Sequence, residues 1–236
     1  MLPTGQGVTI GDGKLPFPDR AAAGRALVPL LTEVLDRWAE DGVGQAVVLA
    51  LPRGGVPVAA QVATALEAPL DILVVRKLGV PWQPELAIGA LASGTQPDKP
   101  VKVLNDMLLE RTGLPEDILD TVIERALAEL HRREQAYRGE RPAIAVTGRV
   151  AVLVDDGLAT GASARAALLA LRMRLPERIV LAVPVAPRST LMGLADVADH
   201  VVCAAVPRRF GAVGRHYVDF GQVSDTEVRR LLNNPP

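Results

Sequence analysis

An α/β fold with a parallel sheet covered by helices on both faces is predicted from two observations: short, β-branched apolar runs recur along the chain, and stretches of helical spacing separate them. A length of 236 residues at 49% hydrophobic content supports one large domain with a full core rather than two. The first 18 residues are rich in Gly, Thr and Pro without periodicity and read as a mobile leader (1–18). From Asp19 to Glu40, Leu27, Leu30, Leu31, Val34, Leu35 and Trp38 fall at helical spacing, irregular near Pro29, with Gly42 as a stop. AVVLA (Ala46–Ala50) and DILVV (Asp71–Val75) are strands flanking a helix over Val56–Glu67, a βαβ unit with a parallel pair. Between the halves, Pro115–Arg138 is a long helix with Ile118, Val122, Ile123, Ala126, Leu127 and Leu130 on one side. The alternation resumes with strand Arg149–Val154, helix Gly161–Arg174, strand Arg178–Val185, a short helix near Thr190–Val197, and strand His200–Val206. The expected domain spans 19–225, followed by a tail at 226–236.

Composition narrows the function classes. With 26 basic and 27 acidic residues, no global charge directs the protein to nucleic acid or an anionic membrane. The single cysteine, Cys203, forms no internal disulfide, and neither a signal peptide nor a bilayer-spanning run is present, so a soluble cytoplasmic protein is expected. His131, His200, His216 and Cys203 show no metal-ligand spacing. GASAR at Gly161–Arg165 lacks the final Gly of a serine-hydrolase elbow, and GQGVTIG at Gly5–Gly11 has the wrong spacing for a dinucleotide fingerprint.

In open parallel sheets ligands sit beyond the carboxyl ends of the strands. After Val154 the chain reads DDGLATGAS. An acidic pair at a buried strand end is costly unless something binds it. Gly157 and Gly161 permit tight backbone geometry, and Thr160–Ser163 open the next helix, where a row of amides and two hydroxyls makes a phosphate cradle. Acceptors for hydroxyls beside donors for a phosphate match a sugar phosphate.

VDDGLATGAS resembles the signature of the phosphoribosyltransferases of the common α/β type, closest to the VDDLLATGGT-like form of the adenine enzymes, with departures at Gly157, Ala162 and Ser163. The resemblance implies a Rossmann-like parallel-sheet core with a small hood and lid. It also implies transfer of a phosphoribosyl group from phosphoribosyl diphosphate to a nitrogenous base, a purine or related ring, with release of pyrophosphate. Asp155 and Asp156 would hold the ribose hydroxyls and, directly or through them, Mg2+; Ala159, Thr160, Gly161, Ala162 and Ser163 would hold the 5′-phosphate. LPRGG (Leu51–Gly55) resembles the pyrophosphate loop, with Arg53, Gly54 and Gly55 as its binding residues and a strained or cis peptide expected at Pro52–Arg53 or Arg53–Gly54. RKLGVP, from Arg76, resembles the start of the flexible catalytic loop, placing Arg76 and Lys77 against pyrophosphate.

The segment Arg76–Gly94 is long and rich in Gly and Pro, so a mobile lid is expected. Ala159 stands where hypoxanthine and guanine enzymes carry an Asp. A proton-transfer group must then come from elsewhere, and Glu85 in the lid is the candidate, as in adenine enzymes. Phe210, Tyr217 and Phe220 gather in an aperiodic hood region (207–225), a stacking platform for a flat ring, and VGRHYVDF resembles the hood of 6-oxopurine enzymes. Arg132, Arg133, Arg138 and Arg141 cluster at and just beyond the end of the long helix and could line the lid over pyrophosphate. The family often forms homodimers, and its small-molecule substrates imply no nucleic-acid or membrane partner. A second reading keeps the site as a non-catalytic sensor of phosphoribosyl diphosphate; it would normally add a DNA-binding helix pair or an RNA-binding face.

Overall fold

In the computed structural model, which describes residues 7–94 and 100–236 (only the backbone at 84 and 85), the elements are β1 (Gly7–Ile10), α1 (Arg20–Glu40), β2 (Ala46–Ala50), α2 (Gly55–Ala65), β3 (Leu70–Ile72), β4 (Val75–Val80), β5 (Gln83–Ala92) and β6 (Val101–Leu104). They continue with α3 (Asp106–Thr112), α4 (Glu116–Arg138), β7 (Val150–Val154), α5 (Ala162–Arg172), β8 (Arg178–Val185), α6 (Arg188–Met192), β9 (His200–Ala205) and α7 (Asp225–Asn233). Six strands form one sheet in the order β1-β9-β8-β7-β2-β3, and every neighbouring pair is parallel. All their carboxyl ends therefore lie along one edge, which is where the DDG, PRGG and RKLG segments emerge.

The apolar runs are continuous because both faces are covered. Alternate residues of each strand point to opposite sides. Val48, Val152, Val180 and Val202 pack with Leu27, Leu31 and Val34 of α1 and with Val58 and Val62 of α2. Leu49, Leu153, Leu181 and Cys203 pack with Leu168 and Leu171 of α5. Cys203 is fully buried, and burial pushes its thiol up to about 11, so it is core rather than nucleophile. Helix α1 starts where Asp19 accepts from the Ala22 amide at 2.6 Å and runs through Pro29 without ending.

Three expectations are corrected. The leader is structured from Gly7 on: β1 pairs with β9, and Phe17 is buried against Tyr217. Its apolar Val8 and Ile10 are few, and pairing to a strand nearly two hundred residues away leaves no local periodicity. The tail is likewise α7, capped by the Ser224 hydroxyl, with Val228, Leu231 and Leu232 buried. Lastly, 76–94 is not an irregular loop. The DILVV run breaks after Ile72, and β4 and β5 form an antiparallel hairpin that β6 extends. Its Gly and Pro residues mark a register shift at Gly79 and the turn at Pro81–Trp82. Leu78, Val80, Ile88 and Leu91 make its buried face, covered by Leu119, Val122, Ile123 and Ala126 of α4.

Candidate functional site

The acidic pair occupies the centre of the carboxyl edge. Asp155 Oδ1 accepts from the Asp156 amide at 2.9 Å, and no described cation pairs with its carboxylate. Burial first, and the charge of Asp156 second, hold the Asp155 carboxyl well above the ordinary carboxylate range. Asp156 is raised too, chiefly by burial, but Arg20 opposes this by donating from Nε to Oδ2 at 2.8 Å. Two half-buried carboxyls so close need a cation or a set of hydroxyl donors to be charged together.

The PRGG turn is pressed against this pair. Its Pro52–Arg53 peptide is cis, as expected for one of the two bonds named. A Cβ on Gly54 would collide with Asp156 Oδ2, and one on Gly55, the first residue of α2, would lie 2.7 Å from the Val154 carbonyl. Only residues without side chains let the ends of β2 and β7 approach this closely. The Arg53 guanidinium is turned away to α7, where it donates to Asp225 at 3.3 Å. The loop therefore presents backbone, rather than this cation, to the acids.

On the β3 side, Arg76 and Lys77 from β4 open into a cleft of ≈ 420 Å³ together with Pro52, Asp155, Ser163 and Arg133. Arg133 comes from α4, and Glu129 one turn earlier fixes it at 2.7 Å. Hydrogen bonds from Arg132 and Arg133 hold the Glu129 carboxyl down to about 2. Of the arginine cluster on α4, Arg133 reaches this cleft, whereas Arg138 is buried against Asp71 and Glu134 and serves the fold. Glu85 lies on β5, and its side chain is outside the described residues.

Beyond the acids, the DDG segment turns into α5. Gly161 caps this helix at φ 73°, and Thr190 braces the turn by donating to the Ala159 carbonyl at 2.8 Å. Ala159, Thr160, Ala162 and Ser163 are exposed, and the first turn of α5 leaves its amides without carbonyl partners inside the helix.

The hood aromatics differ among themselves. Tyr217 is only 6% exposed, and its hydroxyl donates to the Asp156 carbonyl at 2.5 Å. Its ring packs on Phe17 and Phe220. It is an anchor and not a stacking surface, which corrects the expectation for this residue. Phe220 is half-buried, with the Arg20 guanidinium 3.9 Å from its ring centre, while Phe210 stands beside His216.

A comparison with protein families matches residues 29–204 to the phosphoribosyl transferase domain. The chain belongs to that family. Two curated relatives, from Mycobacterium tuberculosis strains CDC 1551 / Oshkosh and ATCC 25618 / H37Rv, are each 48% identical over 217 residues and carry the names "Putative phosphoribosyl transferase MT0597" and "Putative phosphoribosyl transferase Rv0571c". The match covers 92% of this chain but 46% of theirs, so the chain spans about half their length. Among solved structures, TT1426 from Thermus thermophilus is 41% identical with a TM-score of 0.79, covering 92% of this chain and 98% of that one.

Within this member of the family, sequence reasoning missed Arg20 as the partner of Asp156 and Tyr217 as the brace of its backbone. No local pattern announces either, since the contacts span 136 and 61 residues. Arg133 was within the arginine cluster but indistinguishable from its neighbours. One consequence concerns Gly54: Gly54→Ala, with its φ and ψ already helical, is strained only by the approach to Asp156. It is expected to displace that carboxylate from Arg20 and to cost about 1–3 kcal/mol. A thermal melt equal to wild type would show that the acid can move aside freely.

Proposed function

We propose that this phosphoribosyltransferase transfers the phosphoribosyl group of phosphoribosyl diphosphate to a nitrogenous heterocycle and releases pyrophosphate. The observation that carries this reading is the order of groups along one sheet edge. The α5 amide turn and the acid pair lie at the end of β7, the PRGG backbone at the end of β2, and Arg76, Lys77 and Arg133 beyond β3. A 5′-phosphate on residues 159–163 places ribose hydroxyls at Asp155 and Asp156 and the diphosphate among the three cations.

The reaction builds positive charge at the anomeric carbon while the departing oxygens become more negative, so the protein acts by positioning and by neutralising that charge. Arg offers a planar fork to the phosphate oxygens and Lys a compact charge. Among the described residues no three His, Cys, Asp or Glu side chains gather as a metal cage. Two half-buried carboxyls with raised affinity for protons nevertheless suit a divalent ion carried by the substrate. Mg2+ would be held by the ligand's oxygens with Asp155 and Asp156 as the protein's share, and would neutralise diphosphate charge. Glu85 is kept as the candidate for the proton on the acceptor. A panel of heterocycles with phosphoribosyl diphosphate and Mg2+, followed by pyrophosphate release, tests the reading. Release dependent on one class of acceptor is expected, and binding of the sugar without release for any acceptor would favour a sensor.

The β4–β5 hairpin is proposed to cover the site when ligand is present, excluding water from the reacting centre. Hydrogen exchange over 75–92 is expected to slow when phosphoribosyl diphosphate and an acceptor analogue are both added. Exchange that is already slow and unchanged by ligand would make the hairpin a fixed wall.

A further inference from the structure

The carboxyl edge continues past the acid pair in the direction away from the pyrophosphate cations. There the ends of β8, β9 and β1 surround a cleft of ≈ 520 Å³ that includes Pro187, Arg188, Ser189, Pro207, Arg208 and Phe210. Arg188 and Arg208 are both exposed, and no described carboxylate pairs with either. The described lining contains no Asp or Glu, so two guanidinium groups set its charge unopposed. Phe210 adds a half-buried aromatic face, and the two prolines add flat apolar walls. Ser189 also lines the depression formed by Thr160, Gly161 and Ala162, so the basic cleft adjoins the phosphate turn directly.

Position and charge together name the occupant. In a displacement at the anomeric carbon the entering nitrogen and the departing pyrophosphate take opposite sides. Here Arg76, Lys77 and Arg133 lie on the β3 side of Asp155, and the Arg188–Arg208 cleft lies on the β8–β9 side. We infer that this cleft receives the acceptor and that the acceptor is an anionic heterocycle: a flat ring carrying a carboxylate or a comparably charged group that Arg188 and Arg208 bind. A neutral nucleobase would offer the two exposed guanidinium groups little more than water does, whereas a carboxylate brings an opposite charge that matches their planar donor geometry. The inference rests on the phosphoribosyl-transfer reading. In that reaction the ring nitrogen forms a bond to the anomeric carbon, the C–O bond to pyrophosphate breaks with its electron pair leaving on pyrophosphate, and the proton of the attacking nitrogen is released. The product is a ribonucleotide that keeps the extra negative charge on its ring.

The test uses matched pairs, orotate against uracil and purine-6-carboxylate against purine, each with phosphoribosyl diphosphate and Mg2+. Acceptor binding is measured by calorimetry and turnover by pyrophosphate release. At least one carboxylate is expected to bind ten times or more tightly than its neutral parent, and the Arg188→Ala, Arg208→Ala variant to erase that preference. Lys at both positions should restore part of it, and affinity for phosphoribosyl diphosphate should stay at the wild-type level throughout. Both side chains are on the surface, so the variants are expected to fold. The proposal fails if neither carboxylate outperforms its parent, or if the double Ala variant keeps the preference. If wild-type protein binds no phosphoribosyl diphosphate at all, the transfer reading fails and takes the inference with it; binding of the sugar with preference for neutral rings overturns the inference alone.

Discussion

Asp155→Asn is expected to make the free protein more resistant to heat while lowering its affinity for phosphoribosyl diphosphate about 10- to 150-fold, the equivalent of the roughly 1.5–3 kcal/mol of a charge-assisted hydrogen bond. The amide keeps the oxygen that accepts from the Asp156 N–H, so shape and that bond survive and the charge alone is removed. Burial and Asp156 hold the Asp155 carboxyl well above its ordinary range, so the folded chain favours the protonated form. This contribution to stability is complete below the ordinary carboxylate range and is lost as pH rises through the raised value. Ligand binding has the opposite dependence, since hydroxyls and Mg2+ need the anion. Wild-type protein should therefore lose thermal stability and gain affinity over the same pH window, which runs from the ordinary carboxylate range up through the raised value, and Asp155→Asn should flatten both curves. Calorimetry and thermal melts across that window check this. An Asn variant that binds as wild type would remove Asp155 from the site.

Arg138→Met should unfold the protein more readily by about 3–5 kcal/mol, because it leaves two buried carboxylates without their cation. Arg138 donates to Asp71 at 3.0 and 3.3 Å, to Glu134 at 2.9 Å and to the Ile72 carbonyl at 3.1 Å, and Asp71 is 1% exposed. At roughly 2–4 °C per kcal/mol for a chain of this size, the melting temperature should fall by about 6–20 °C. Adding Asp71→Asn and Glu134→Gln should recover much of the loss, since the cost lies in the stranded charge more than in the missing bonds. The functional reach of this trio is indirect. It ties α4 to β3, and α4 carries Arg133 into the cleft with Arg76 and Lys77. A melt unchanged by Arg138→Met would show that apolar packing alone holds α4 in place.

Local pattern determined the parallel core of this protein. A strand buried on both faces must be apolar throughout, so β2, β7, β8 and β9 stood out as runs, and the helices between them as 3.6-residue periods. The same locality made the DDGLATGAS turn legible as a strand end followed by a helix start, because Asp155, Asp156, Gly161 and Ser163 are neighbours along the chain. The hairpin β4–β5 was read as a loop because its Gly and Pro residues are local punctuation, whereas its buried face is completed by α4, beginning more than twenty residues later. β1 and α7 escaped notice for a similar reason: a short strand and a terminal helix draw their stability from distant partners. What only the tertiary structure decided is which charges meet. Arg20 on Asp156 and Asp225 on Arg53 are contacts between separate elements, and the clefts that gather Arg133 with Lys77, and Arg188 with Arg208 among described residues that include no acid, are likewise set by how the sheet edge brings chain ends together. A charge in a sequence carries no record of its neighbours in space, and in this fold those neighbours separate a cation paired in the core, as Arg138 is, from one left exposed in a cleft, as Arg188 is.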